Sequence, residues 1–174
     1  VYLDSSSLST TIASANGGNF ENLSIDPSPA TTTITDTVDT TIVSLTATPN
    51  VAEGGSILYT ASLNDVAQTP VTLTLSNGAT ITIPAGASMG AVSVPAPADD
   101  VHIDAGTVSA SIASAVGGNF ESLVIDPAAA TTAITDTIDT TTLSLTATAS
   151  VAEGGSITYT ASLTSATQTP VTVM

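Results

Sequence analysis

Residues 71–83 have the sequence VTLTLSNGATITI, in which apolar and polar residues alternate on both sides of Asn77-Gly78. Alternation with a period of two is typical of a β-strand that buries one face. Asn-Gly favours a tight hairpin turn, because both residues tolerate the positive φ that such a turn requires. This stretch therefore predicts a β-hairpin.

The same alternation recurs on both sides of the hairpin, in short runs that end at glycine, proline or asparagine. No stretch shows the period of an amphipathic helix. Counted from Thr41, the runs predict seven strands, at 42–48, 56–63, 70–76, 79–84, 90–95, 106–113 and 121–135. Seven short strands in about 100 residues are typical of an immunoglobulin-like β-sandwich. The predicted fold class is therefore all-β.

The chain also repeats itself after 100 residues, since VAEGGSILYTASL at 51–63 returns as VAEGGSITYTASL at 151–163. About 48 of the 74 overlapping positions are identical. A close repeat of the size of a small domain indicates a tandem array of modules. We therefore expect a window from a longer array, with the C-terminal part of one module at 1–40, a complete immunoglobulin-like module at 41–140 and the N-terminal part of the next at 141–174.

The charge balance excludes several kinds of partner. The chain has 15 acidic residues, one histidine, no cysteine and neither lysine nor arginine, which gives a formal net charge of −15. Binding to nucleic acid needs basic groups against the phosphates, and binding to an anionic membrane surface needs basic segments. A chain without lysine or arginine is therefore not expected to bind either. No apolar run is long enough for a membrane span. The carboxylates must therefore be solvated, protonated or bound to a metal cation.

Acidic residues are predicted to gather at one end of the complete module. Successive strands alternate in direction, so the loops after the first, third and fifth strands share an end with the outgoing linker. These segments carry Glu53, Asp99, Asp100, Asp104, Asp136 and Asp139. Oxygen ligands from several loops suit calcium, with magnesium a weaker alternative. By the same reasoning Asp4, Asp36 and Asp39 mark the preceding junction, and Glu153 marks the following one.

Other interpretations of these acids stay open at this point. The linker aspartates could serve only for solubility, and Glu53 could be a simple turn residue. Asp26 and Asp126 each precede a proline, which favours a strand start or a bulge over a metal ligand. Glu21 and Glu121 lie at the opposite end of their modules and rank second as ligands. The chain lacks an EF-hand loop.

Three motifs carry a resemblance to a known family, namely TATPNVAEGGSILYTASL, TLSNGATITIPAGASMGAVSVPAPADD and GGNFESLVIDPAAATTAITDTIDT. They resemble the extender repeats of very large bacterial biofilm adhesins, the RTX-type, type I secreted large adhesion proteins. The resemblance covers essentially the whole chain. It implies calcium-stiffened immunoglobulin-like modules at the outer surface of a bacterium. It also implies that neighbouring modules are the direct partners and that other regions bind the surface or glycan ligand.

Two other function classes are alternatives to a spacer. A multivalent module for binding glycans or cells would also profit from repetition, but tryptophan is absent and other aromatic residues are few. An enzyme is disfavoured because His102, the only histidine, is matched by Tyr2 in the other copy, and neither lysine nor cysteine is available as a nucleophile. The sequence therefore predicts a non-enzymatic spacer.

Overall fold

The computed structural model describes Tyr2 and residues 6–174, and throughout that part of the chain the regular structure is β-strand. The prediction of an all-β fold is confirmed, and none of the described residues forms a helix that could cross a membrane. The described strands are β1 (Ser6–Thr10), β2 (Ala30–Ile34), β3 (Thr40–Ala47), β4 (Asn50–Ala52), β5 (Ser56–Leu63), β6 (Val71–Leu75), β7 (Thr80–Ile83), β8 (Met89–Pro95), β9 (Gly106–Ala110), β10 (Ile112–Gly117), β11 (Ser122–Ile125), β12 (Ala130–Thr135), β13 (Leu143–Ala147) and β14 (Tyr159–Leu163).

Strands β3 to β12 form three sheets around one core. The strand orders are β11-β3-β5-β8, β10-β6-β7 and β4-β12-β9. One face of each of the strands β3, β5, β6 and β7 is buried, as the alternation of apolar residues predicts. The arrangement is consistent with a β-sandwich module. Its buried apolar residues are Val43, Leu45, Ile57, Tyr59, Ala61, Leu63, Ala67, Val71, Leu73, Leu75, Ile81, Ile83, Ala110, Ile112, Ala130 and Ile134.

Two of the seven predicted strands are each divided in the structure. The run at 106–113 becomes β9 and β10, which belong to different sheets and meet at Ser111 beside a register shift. The run at 121–135 becomes β11, which pairs with β3, and β12, which pairs with β9 and β4. Strand β4 was not predicted from the sequence. The module therefore contains two crossings between sheets that alternation did not indicate.

The second crossing has a local cause at Asp126-Pro127. Proline has no N–H with which to continue a ladder. The Asp126 carboxylate accepts a hydrogen bond of 3.0 Å from the backbone N–H of Ala128, which turns the chain after β11. Asp26 does the same with the N–H of Ser28 at 2.9 Å. The sequence predicts a strand start or a bulge at Asp26 and Asp126. Instead, both lie outside the described strands, where their carboxylates turn the backbone.

Strand direction defines two ends of the module. Because β3 is antiparallel to β5, β5 to β8, and β6 to both β7 and β10, the loops separate into two groups. We call the end with loops 48–55, 76–79 and 96–105 and the exit from β12 the upper end. The lower end has loops 64–70, 84–88 and 118–121 and the segment that leads into β3.

The flanking segments pair in the same registers as their counterparts 100 residues away. Strands β1 and β2 place Ser6 opposite Ile34, as β9 and β12 place Gly106 opposite Ile134. Strands β13 and β14 place Leu143 opposite Leu163, as β3 and β5 place Val43 opposite Leu63. The repeated sequence therefore folds into repeated strand pairs.

Candidate metal centre

Three carboxyl groups meet at the upper end of the module. Glu53, Asp104 and Asp136 each place one carboxylate oxygen within 4.8 Å of the other two. Glu53 comes from the turn between β4 and β5, Asp104 from the loop before β9, and Asp136 from the residue after β12. Glu53 is buried, Asp136 is half-buried and Asp104 is exposed. The fold thus joins three segments that are far apart in sequence.

Backbone hydrogen bonds hold the turn that carries Glu53. Its N–H donates to the carbonyl of Thr135 at 3.1 Å, which ties the turn to the end of β12. The N–H of Gly54 donates to the carbonyl of Pro97 at 2.7 Å, which ties the turn to the loop after β8. Gly54 has a φ of +68°, a conformation that side-chain-bearing residues rarely adopt. The carboxylate of Glu53 is therefore placed by main-chain contacts on both sides.

The electrostatics of the cluster are unfavourable for three negative charges. A hydrogen bond with Asp104, burial of the carboxyl group and repulsion from Asp104, Asp136 and Asp100 raise the pKa of Glu53 to about 7. Near neutral pH the Glu53 carboxyl group is therefore partly protonated when no cation is bound. A divalent cation would replace that proton.

Two oxygens of the cluster lack partners among the described residues. Glu53 Oε2 and Asp136 Oδ1 are buried and accept no hydrogen bond. Buried polar atoms almost always have a partner, so each such atom indicates a missing ligand or water. The donors here are all oxygen, which suits hard cations such as calcium rather than zinc or copper. The residues present therefore fit calcium.

Three other predicted ligands lie at the same end without joining the group of three. Asp99 Oδ1 accepts a hydrogen bond from the Thr137 hydroxyl, and the Asp99 side chain lies beside Gly54. Asp100 accepts a hydrogen bond of 2.7 Å from the N–H of His102. Asp139 lines a cavity of about 530 Å³ together with Asp136. Their role as ligands stays a prediction.

The other predicted ligands for which the structure is described lie outside this group of three. Asp4 is outside the described residues. Asp39 is at the lower end, where its N–H donates to Glu121 Oε2 at 2.5 Å and thereby holds the pKa of Glu121 below its usual range. Asp36 is half-buried in the segment before β3, and Glu153 is exposed in the following copy. Within the described residues, none of these belongs to a group of three carboxylates that could hold a metal.

The structure also identifies contacts that the sequence did not indicate. The hydroxyl of Thr137 bonds to Asp99, and the backbone of Asp39 bonds to Glu121, which had ranked second. A clue was present, because Asp-Thr-x-Asp occurs in both linkers, at 36–39 and at 136–139. The threonine of this motif carries no charge, so the pattern of acidic residues does not point to it.

Comparison with known proteins gives one family. The family model described as LapA domain matches residues 1–37, 39–137 and 139–174, which is nearly the whole chain. No curated protein matches, and no solved structure matches. The three matched ranges follow one another with short gaps at positions 38 and 138.

Proposed function

Since this chain belongs to the LapA domain family, we propose that it is an extender segment of a giant bacterial adhesin, in which calcium at the junctions holds successive modules in line. Membership of the family assigns the chain to a large adhesin with a role in surface attachment. It also supports a structural role over a catalytic one and a place at the cell surface or outside the cell. The spacer role and the calcium are the further steps of the proposal.

The observation that carries the proposal is the cluster of Glu53, Asp104 and Asp136 within 4.8 Å. The chain has no lysine or arginine to neutralise it. Asp136 is the first residue after β12, so a cation bound there would also fix the start of the linker to the next copy. A site within one module would thereby control the direction in which the next module leaves.

Calcium would act on the junction by removing repulsion. Without it, the three carboxyl groups favour a protonated or splayed arrangement. When bound, calcium supplies two positive charges and takes six to eight oxygen ligands. Glu53, Asp104 and Asp136 would hold it. Asp99, Asp100 and Asp139 lie at the same end of the module and are proposed as further ligands. The junction would then lose much of its bending freedom.

A spacer explains why the same unit is repeated. Strands of about seven residues at about 3.3 Å per residue make each module a few nanometres long, so many modules in line reach far from the cell. The direct partners are then neighbouring modules of the same chain. A surface or glycan ligand would be bound by other regions of the adhesin. As the resemblance of the motifs implies, the parent adhesin is of the RTX type and is exported by type I secretion.

The test measures calcium binding and shape on the same chain. Isothermal titration with calcium should show binding, and small-angle scattering should show a longer, stiffer particle in calcium than in excess chelator. Glu53→Gln should remove both effects. The matched control is Glu153→Gln, which changes the same position of the same motif, where the described part of the chain forms no such cluster. Scattering that does not respond to calcium would refute the calcium-stiffened spacer.

A further inference from the structure

The lower end of the module presents an aromatic side chain on a rigid turn. Phe120 folds back over Gly118, where any side chain would collide with its ring. Asn119 has a φ of +58°, and its side-chain amide donates to Gln68 Oε1 at 2.6 Å. The N–H of Gln68 in turn donates to the carbonyl of Gly118 at 3.1 Å. The turn at 117–120 and the loop at 64–70 therefore form one surface, which we call the socket.

A side chain from the preceding copy occupies this socket. The ring of Tyr2 stacks on the ring of Phe120, with centroids 6.1 Å apart and planes inclined by 19°. The Tyr2 hydroxyl donates to the carbonyl of Val66 in the neighbouring loop. Stacking and a hydrogen bond at the far end of the ring together fix both the position and the direction of the side chain.

The same position of the repeat reaches the same loop at the next joint. His102 corresponds to Tyr2, and it lines a cavity of about 430 Å³ together with Ala166, Thr167, Gln168 and Thr169. These four residues correspond to positions 66–69 of the complete module. At both joints, the same repeat position therefore lies next to the same loop of the following copy. This loop is 64–70, after β5, at the first joint and its counterpart after β14 at the second.

We propose that the residue at position 2 or 102 of the repeat is a plug that seats in the lower end of the following module, and that its identity sets how firmly each joint is held. The contact consists of a ring, a hydroxyl and a backbone carbonyl, so it is formed without calcium. The tyrosine ring stacks on Phe120 in the socket, and its hydroxyl donates a hydrogen bond to the carbonyl of Val66. Histidine is smaller and lacks the phenol, and Ala166 in place of Val66 leaves more space. The Tyr2 joint is therefore the tighter of the two.

Nuclear magnetic resonance of the full chain tests the contact directly. The chain has only three tyrosines and two phenylalanines, so the aromatic signals can be assigned. Cross-relaxation between the rings of Tyr2 and Phe120 is expected both in calcium and in excess chelator. Absence of this signal in both conditions would overturn the proposal. Its presence with no calcium binding would refute the calcium site alone.

A series of substitutions tests whether the plug holds the joint. Tyr2→Ala should shift the amide signals of the socket and increase fast motion in the segment before β3. Tyr2→His should have an intermediate effect, and Tyr2→Phe the smallest. Phe120→Leu should change the same amides from the other side. Shifts confined to the residues next to position 2 in every variant would overturn the proposal.

The matched control is His102→Ala. It should shift the amides of 166–169 and leave the socket around Val66 unchanged, because the two joints are separate. If the amides of 166–169 do not respond, the assignment of a common plug position to both joints is wrong. Thermal unfolding of the Tyr2 and His102 variants should follow the wild-type curve closely, since neither residue belongs to the buried core.

Discussion

Glu53 and Glu153 occupy the same motif, Val-Ala-Glu-Gly-Gly-Ser, yet their surroundings differ completely. The local turn is the same in both copies, since Gly54 and Gly154 have φ values of +68° and +80°. Gly55 and Gly155 also make equivalent hydrogen bonds, of 3.1 and 2.9 Å, to the alanine three residues before them. Glu53 is nevertheless 7% exposed beside two other carboxyl groups, whereas Glu153 is exposed.

The difference between Glu53 and Glu153 separates what the motif determines from what the rest of the module determines. The six residues determine the shape of the turn. The environment of the carboxylate comes from the loop at 96–105 and the end of β12, which are distant in sequence. In the following copy the described residues include no counterpart of those segments. A ligand site in this repeat is therefore a property of the folded module.

Removing one carboxylate of the cluster should have the largest effect. Asp136→Asn or Glu53→Gln should weaken calcium binding by on the order of 100-fold, because each removes a charged ligand. Isothermal titration measures this change. Glu153→Gln should bind calcium as the wild type does, and equal losses at positions 53 and 153 would show that the comparison is wrong.

Changes in pH should give the next largest effect. The pKa of Glu53 is raised from 4.5 to about 7, so metal binding must displace a proton below pH 7. Calcium affinity should fall by up to about tenfold per pH unit between pH 7 and pH 5. Titrations across this range measure it, and Glu53→Gln should flatten the dependence.

The metal-free protein should respond to pH in the opposite direction. A carboxyl group whose pKa is raised by folding contributes stability below its unfolded pKa of 4.5 and loses that contribution as pH rises through about 7. Chelated protein should therefore unfold more easily at pH 8 than at pH 5. Urea unfolding with chelator measures the change. A stability that rises over this range would mean that Glu53 does not carry the raised pKa.

The backbone of the turn should show a smaller difference. Gly54→Ala should reduce the free energy of unfolding by about 1 kcal/mol, because alanine is strained at positive φ. The added Cβ would also lie 3.4 Å from the Asp99 Cβ. Gly154→Ala introduces the same strain where no atom lies within 4 Å and no buried core is affected. It should change the cooperative transition less, and an equal loss would contradict this.

The smallest effect is expected from Thr137→Val. This change removes the hydrogen bond from the Thr137 hydroxyl to Asp99 but leaves every carboxylate in place. Calcium affinity should fall by about threefold, the usual size for one exposed hydrogen bond. A loss as large as that of Asp136→Asn would mean that Asp99 is a principal ligand.

Much of the fold could be predicted because alternation reports directly on burial. The runs that became β3, β5, β6, β7 and β8 were located to within about two residues. The divisions at Ser111 and Asp126 could not be predicted, because both flanking runs alternate and the sequence does not say that they change sheets. In the sequence, Asp126-Pro127 indicates only a local irregularity within a strand.

The candidate site was predicted as a region and not as a set of ligands. Strand direction alone brings Glu53, Asp104 and Asp136 to one end. Which carboxylates meet depends on backbone hydrogen bonds between distant loops, such as that from Gly54 to Pro97. Such bonds cannot be predicted from the sequence. The sequence also could not show that Asp39 turns its backbone toward Glu121.

The two parallel strand pairs of the module, β3 with β11 and β4 with β12, have a mechanical consequence. Strand β3 begins at the lower end and pairs in parallel with β11, while β4 pairs in parallel with β12, which leaves at the upper end. Tension along the chain pulls β3 down and β12 up. The ladder hydrogen bonds lie across this pull and are loaded together in shear rather than opened one after another. When the chain is pulled, all hydrogen bonds of a ladder share the force. The time for which the module stays folded is then governed by its rate of forced unfolding.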